Sequence, residues 1–450
     1  MTELTHGFRI DQDKCHGCFS CMRACPTHAI RVRDRKARYQ TDHCIDCGAC
    51  LKACPWSAIA AMTGSVADLS RSAFKVAVPS PVLFGQFPAG ITPSIVVDGL
   101  LTLGFDAVWD YTVEIGLVSR AVREYVENWK GATPLISITC PVVVRLVQVS
   151  YPRMVDQLIP IQPPREIAGR EVKRRYATQL GRREADVAPI YITPCQAKTI
   201  SILEPAEGVA SNLDGALGIS DIYNAVLAYA SLHRDAGRKN SEAHVIRNSS
   251  YLRWPVSEGL SRLLSPHRYL RVTGLANIIQ VFDDIEKGKL RNVDFIEAYN
   301  CWSGCTGGNL TVANIYVTLS KFYSMISQLP EVDAETEAEV ERRYPTENFS
   351  LGQAIRPRPV RGSTGDLRER VQMIQRAAAI LETLPGLNCG LCGAPTCKDL
   401  ARDISIGDAA KGDCVFQSGR RLRQLQKAYL RRTEETRSDP PPRRTDQDPV

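Results

Sequence analysis

The sequence has no apolar leader and no uninterrupted hydrophobic run of membrane-spanning length. Its opening, MTELTHGFRIDQD, is polar, and the most apolar later stretches are broken by Arg145, Gln148 and several prolines. A spanning helix needs roughly 20 consecutive apolar residues, so neither export nor membrane insertion is expected, and the chain reads as cytoplasmic. Also missing are a groove-reading motif and any interleaving of aromatic with basic residues. A nucleic-acid partner is therefore not expected, although 56 basic against 49 acidic residues give a formal charge of +7. With 44% hydrophobic and 23% charged residues, the composition excludes wholesale disorder. At about 150 residues per domain, 450 residues allow two to four domains with real cores, which excludes a disulfide-stapled miniprotein.

What the chain does have is 16 cysteines. In a large chain with no export signal, clustered cysteines point to metal rather than to disulfides. They fall in three groups that follow shifts in composition. Residues 1–64 carry eight of them in an internal repeat. Residues 74–330 alternate β-like apolar runs with longer amphipathic segments, an α/β texture, and hold four. Residues 331–365 open with EVDAETEAEVE, continue through RPRPVRGSTG and read as a linker. Residues 366–418 hold the last four, and 419–450 read as a short basic helix followed by a tail disordered by composition. Within the third group, Leu367, Val371, Ile374, Ala378 and Leu381 follow 4-3-4-3 spacing and are expected on one apolar helix face.

In the N-terminal repeat the pattern C-x2-C-x2-C-x3-C-P occurs twice. Three cysteines at x2 spacing wrap one corner of a cubane, while the fourth, followed by proline, turns to the other cluster. Cys15, Cys18, Cys21 and Cys54 are thus expected to hold one [4Fe-4S] cluster, and Cys44, Cys47, Cys50 and Cys25 a second. Zinc knuckles do not use this crossed fourth ligand. The segment resembles the bacterial two-cluster ferredoxins, which implies an α+β dicluster domain. His16, His28 and His43 lie nearby. With the ligand count complete, they read as surface histidines able to tune potential through hydrogen bonds to sulfur.

Each of three β-like segments in the middle region ends in a cysteine: Cys140 after 135–138, Cys195 after 189–192, and Cys301 after 293–298. If the strands are parallel, these cysteines share the carboxyl edge of a sheet, where α/β proteins build ligand sites. Cys305 follows in CWSGCTGGN, whose Gly304, Gly307 and Gly308 permit close backbone approach to a cofactor. The stretches ISITCPVVVRL, ITPCQAK and FIEAYNCWSGCTGGN resemble, in order and spacing, three signature loops of the [FeFe]-hydrogenase large-subunit catalytic domain. That resemblance implies a central α/β hydrogenase-like domain with parallel sheets, in which Cys140, Cys195, Cys301 and Cys305 hold a third [4Fe-4S] cluster. It further implies that Cys305 bridges to a two-iron subsite carrying carbon monoxide and cyanide, and that Lys198 hydrogen-bonds a cyanide there.

The departures from the family pattern concern protons. Thr139 stands where active members carry a proton-relaying cysteine, and a hydroxyl cannot replace a thiol in a role worth about 10²- to 10⁴-fold. The family glutamate three residues after the lysine is Ser201, and methionines of the second and third loops are replaced by Thr193 and Tyr299. Acidic proton-path residues expected before the first loop fall near Ser119 and Arg120. Retained ligands with an eroded proton path resemble the sensory branches of the family. The implied function is an H2- or redox-sensing protein or low-turnover hydrogenase (H2 = 2H+ + 2e−). The alternative is a non-catalytic electron-transfer or interaction protein that keeps the cluster but lacks the two-iron subsite.

The last four cysteines, Cys389, Cys392, Cys397 and Cys414, begin in LNCGLCGAPTC. They resemble the small four-cysteine iron-sulfur domain of membrane electron-transport complexes and corrinoid iron-sulfur proteins, which implies a small, mainly helical module with a fourth [4Fe-4S] cluster. Leu422, Leu425 and Tyr429 could share one face of the basic helix that follows. A redox partner protein is expected, and any signalling output would act in trans. Each oxidised cubane with four thiolates carries about −2, so four would bring +7 to about −1. The basic excess is counter-charge for the chain's own cofactors.

Overall fold

The computed structural model describes residues 6–67, 74–233, 249–264, 268–331, 333–359, 366–417 and 429. It divides into two compact units. One is built from Met1–Phe8, Ile45–Gly48 and Ala61–Arg358, the other from Arg9–Cys44, Ala49–Ala60 and Pro359–Val450. Most of the expected basic helix at 419–450 lies outside the described residues. No described helix is long and apolar enough to cross a membrane.

The larger unit is α/β, with two parallel sheets. The first runs in the order Ala107–Val108, Phe74–Pro79, Val187–Thr193, Gly215–Gly218, all parallel. The second runs Tyr269–Thr273, Phe295–Tyr299, Leu135–Ile136, also parallel. The strand Val187–Thr193 is buried at every position, as a parallel strand covered on both faces must be. Its side chains alternate between two cores. Val187 and Tyr191 join a cluster with Val76, Ile167 and Val172, while Ala188, Ile190 and Ile192 join one with Ala77, Leu100 and Ile222. A period of two thus puts the helix Pro164–Leu180 on one side and Pro93–Thr102 and Ile219–Leu232 on the other.

Residues 331–365, expected as a linker, contain the helix Ala334–Arg343. Asp333 caps it by accepting from the Thr336 amide at 2.8 Å, and Glu335 and Glu337 in the first turn suit the positive helix end. The acidic run that looked like solvated linker is a helix start. Val340 and Arg343 are buried, and Arg343 Nη1 lies 2.6 Å from Glu114 Oε1, which is itself fully buried on Thr112–Asn128.

In the smaller unit, strands Ile30–Arg33 and Lys36–Tyr39 form an antiparallel hairpin, with the short helices Ser20–Ala24 and Ala49–Ala53 beside them. The C-terminal part pairs the helices Leu367–Thr383 and Cys397–Ser405 around Leu384, Ala394, Leu400 and Ala401. The helix expected from the 4-3-4-3 spacing forms, but only the end of its stripe meets this core: Val371 and Ile374 are 43% and 63% exposed, while Leu381 packs against it. Ile380 and Leu384 join Leu381, because the core lies against the last turn only.

Candidate metal centres and the cavity beside Cys305

The four middle cysteines converge, but from two sheets rather than the expected single edge. Cys195 follows a strand of the four-stranded sheet, and Cys140 and Cys301 follow strands of the three-stranded one. One cavity is lined by Cys140, Cys195, Cys301 and Cys305, together with Cys47, Tyr299, Asn300 and Asn309. Cys140 and Cys195 are the N-caps of Pro141–Ser150 and Gln196–Leu203. Both thiols therefore meet the positive end of a helix, which favours an anionic ligand atom. Burial nevertheless pushes the Cys195 thiol up to about 11 and raises Cys140, whose sulfur receives the Asn300 backbone N–H. Sulfurs so placed ionise only against a strong local positive charge, which bound iron supplies. The donor set fits a four-thiolate cluster.

Gly304 and Gly308 line this cavity, yet a Cβ at Gly304 would run into the Pro255 carbonyl and one at Gly308 into the Pro194 carbonyl. A Cβ at Gly307 would meet the Trp302 carbonyl oxygen at 2.9 Å. The tightness lies between protein segments: Gly308 lets the third loop close on the second, Gly304 lets it close on the segment at Pro255, and Gly307 lets it fold on itself. Thr193 fixes the turn: its hydroxyl donates to the Cys195 carbonyl at 2.9 Å and accepts from the Cys195 amide at 3.2 Å. Tyr299 donates to Glu297 Oε1 and to the Trp254 carbonyl, both at 3.0 Å.

Beside Cys305 lies a second cavity, lined in part by Ser80, Tyr111, Thr139, Arg165, Tyr191 and Lys198. Lys198 is 5% exposed, and its Nζ stands 3.0 Å from Cys305 Sγ. Burial opposes its charge, but the contact with the Cys305 sulfur, with Tyr191 and Cys195 nearby, more than offsets that and holds its pKa above the ordinary value. The Ser80 hydroxyl, 1% exposed, has no hydrogen-bond partner, whereas Arg165 Nε lies 3.6 Å from Glu166 Oε1 in a buried ion pair. Buried donors without acceptors are costly. Beside the Cys305 sulfur, Lys198 and Ser80 form a donor set for anionic ligands, so the lining fits a two-iron group whose cyanides accept hydrogen bonds.

Thr139 lines this cavity, its hydroxyl 2.9 Å from Ser137 Oγ. Ser201 receives a hydrogen bond from Arg165 Nη2 at 3.1 Å. Ser119 and Arg120 are not part of this lining. The Ser119 hydroxyl donates back to the Ile115 carbonyl, and Arg120 pairs with Glu341 and Glu124. The sequence reading missed Ser80 and Arg165. Ser80 had a findable signal, since it follows the strand Phe74–Pro79 at the carboxyl edge of the sheet. A lone arginine after Pro163-Pro164 had none.

In the smaller unit, Cys15, Cys18, Cys21 and Cys54 line one cavity with Trp56 and Val32. Burial pushes the Cys21 thiol up to about 12, with Cys50, Cys18, Cys15 and Cys54 adding to it. Burial likewise takes Cys50 to about 12, and Cys25 lies within electrostatic reach. Cys47 belongs to the larger unit, where Asn300 Nδ2 and Asn309 Nδ2 donate to its carbonyl at 3.1 and 3.3 Å. Of the three histidines, the His16 ring lies tilted 4.2 Å from Trp56, and His28, partly exposed, places Nδ1 2.8 Å from Asp399 Oδ2. Cys397 and Cys414 are buried with half-buried Cys392, and Cys389 and Cys414 both act on the Cys392 thiol. None of the sixteen cysteines is in a disulfide.

Comparison with known families agrees with this chemistry. Residues 73–225 match the iron only hydrogenase large subunit, C-terminal domain. Residues 8–55 match the 4Fe-4S dicluster domain, and residues 384–416 match an Fe-S cluster family. Among solved structures, the chain is similar to an [FeFe]-hydrogenase studied for oxygen inactivation, at 16% identity over 65% of this chain and 95% of that one, with a TM-score of 0.44. It is also similar to HydA(deltaEFG), studied for stepwise H-cluster assembly (17%, 64% and 94%, TM-score 0.45), and to HydA1 from Chlamydomonas reinhardtii (16%, 66% and 98%, TM-score 0.45). The chain is an iron-sulfur protein related to [FeFe]-hydrogenase.

Proposed function

We propose that this chain is an H2- or redox-sensing protein, or a hydrogenase of low turnover, that carries four [4Fe-4S] clusters and a two-iron subsite beside Cys305. The observation that carries this reading is the cavity itself. It combines a buried lysine on a cysteine sulfur with an unpartnered donor at Ser80. When bound, the two-iron group would supply the chemistry of H2 = 2H+ + 2e−. Cys305 would tether it, while Lys198 and Ser80 would hold its anionic ligands and the apolar lining would exclude water.

The proton side explains why turnover would be low. The described residues lining this cavity offer two phenols, a guanidinium, an ammonium and the Cys305 thiol, but no carboxylate or imidazole. Burial raises the Tyr111 phenol well above its ordinary value. A general acid works best with a pKa near the working pH, and Thr139 supplies none. Electrons would pass between the middle cluster and the ferredoxin clusters. A redox partner would serve as external donor or acceptor, with a signalling partner acting in trans and the whole working in the cytoplasm.

A second reading, a cluster-bearing electron-transfer or interaction protein without the two-iron group, draws on that same missing proton relay. Infrared spectroscopy of anaerobically matured protein separates the two. Carbon monoxide and cyanide stretches are expected, with roughly 18 irons per chain against roughly 16 for four cubanes alone. If the stretches are absent and the count stays near the lower value, the first reading fails and the second stands.

A further inference from the structure

The N-terminal hairpin and the C-terminal four-cysteine module are locked together within the smaller unit. On the hairpin strand Ile30–Arg33, Arg31 and Arg33 point to one face, as alternate strand residues do. On the helix Cys397–Ser405, Asp399 and Asp403 lie one turn apart on one face. Two strand residues span roughly 6.7 Å and four helical residues roughly 6 Å, so the spacings match. Arg31 Nε and Nη2 grip the Asp403 carboxylate at 2.6 and 3.0 Å, a two-point fork between side chains 8% and 2% exposed. Arg33 Nη2 and Gln40 Nε2 add contacts to Asp403 at 3.4 Å, and His28 pairs with Asp399.

Backbone contacts continue the lock into the cysteine loop. The Val32 amide donates to the Gly393 carbonyl at 2.9 Å, and Arg33 Nη1 donates to the Cys392 carbonyl. A Cβ at Gly393 would collide with the Val32 carbonyl, and one at Gly390 would come within 3.0 Å of Met22 Cε. Met22 lies between Cys21 and Cys25, so the loop bearing Cys389 and Cys392 sits over a residue that joins two N-terminal ligands. A buried, doubly hydrogen-bonded ion pair is costly to half-break, and a freely swinging domain would not keep one.

We propose that the C-terminal four-cysteine module is a fixed electron port of the N-terminal two-cluster module, held in place by the Arg31–Asp403 fork and the His28–Asp399 pair. A cluster held by Cys389, Cys392, Cys397 and Cys414 would take one electron from a low-potential one-electron carrier, which is oxidised in turn, and would pass it to an N-terminal cluster, with no bond made and no proton moved. The proposal rests on the four-cluster reading above.

The test uses the anaerobically reconstituted full chain, with iron counted per site by comparison with a Cys414→Ala variant. In the fully reduced protein, the paramagnetic resonance of the C-terminal cluster should be split or broadened by its N-terminal neighbour, and the Val32 amide should be protected from hydrogen exchange. Asp403→Lys should abolish the splitting and speed Val32 exchange at least about tenfold with iron unchanged. If that variant loses iron from the module, Arg31→Ala with His28→Ala breaks the lock from the other side, leaves the module's own residues intact and should give the same two changes. An unsplit signal in a fully loaded wild type overturns the proposal, as does splitting that survives both variants. Absence of iron at the C-terminal cysteines overturns the four-cluster reading instead, and the port with it.

Discussion

Lys198 Nζ lies 3.0 Å from Cys305 Sγ at a depth where the lysine is 5% exposed. An ammonium so deeply buried requires an anion, and this sulfur is the one its nitrogen touches. The pair therefore marks where negative charge is to be held. Lys198→Gln keeps the stem and removes the charge. The expected outcome is loss or marked weakening of the carbon monoxide and cyanide bands in matured protein, while cubane iron stays within about one iron of wild type. Bands of unchanged frequency and intensity would show that Lys198 plays no part in holding the subsite.

Thr139 borders the same cavity and is 7% exposed. Replacing its hydroxyl by a thiol changes little in volume but introduces a group able to titrate near neutral pH. Thr139→Cys is expected to raise H2 production from a reduced viologen by about 10²-fold or more, the lower end of what a general acid contributes. The gain should appear in kcat, with the infrared bands retained. Bands without a gain would show that protons do not limit the reaction.

Much of this site was legible in sequence because its chemistry sits at the ends of strands. Cys140, Cys195 and Cys301 each close an apolar run, and the runs are parallel strands. The assignment of those strands to two sheets was not legible, since pairing depends on contacts between distant segments such as Phe295 with Leu135. Ser80 could have been placed by its position after a strand, but only the fold shows its hydroxyl buried and unpaired, and nothing local to the sequence marks Arg165 as part of the cavity. The acidic segment at 334–343 misled because its helix is held by a few buried groups, Val340 and Arg343 among them, on an otherwise charged surface.

Arg343 and Glu114 make that helix part of the larger unit's core. Both are nearly inaccessible, burial raises the Glu114 pKa, and Arg343 pulls it back. Removing one partner strands a buried charge. Arg343→Met is expected to cost about 3–5 kcal/mol, whereas Arg343→Met with Glu114→Gln should recover much of it. Denaturant unfolding followed by tryptophan fluorescence checks this, since Trp109 Nε1 lies 3.4 Å from Glu114 Oε2. Equal losses in the single and double variants would mean that packing, not charge, holds the contact.

Removal of iron should separate the small modules from the α/β body. The C-terminal core contains Cys397 and Cys414 themselves alongside only four other buried apolar residues, with Cys392 packed against it. So small a core is marginal without its metal, and the binding energy of the metal becomes folding energy. The strand Val187–Thr193, in contrast, is buried along its whole length between two large apolar clusters that need no ligand. After oxidative removal of iron with a chelator, amide exchange in Cys397–Ser405 should rise toward that of an unfolded chain. Val187–Thr193 should keep most of its protection. Equal protection of both segments after complete iron loss would mean that the C-terminal helices hold by packing alone. The four cysteines there would then serve the cofactor and not the fold.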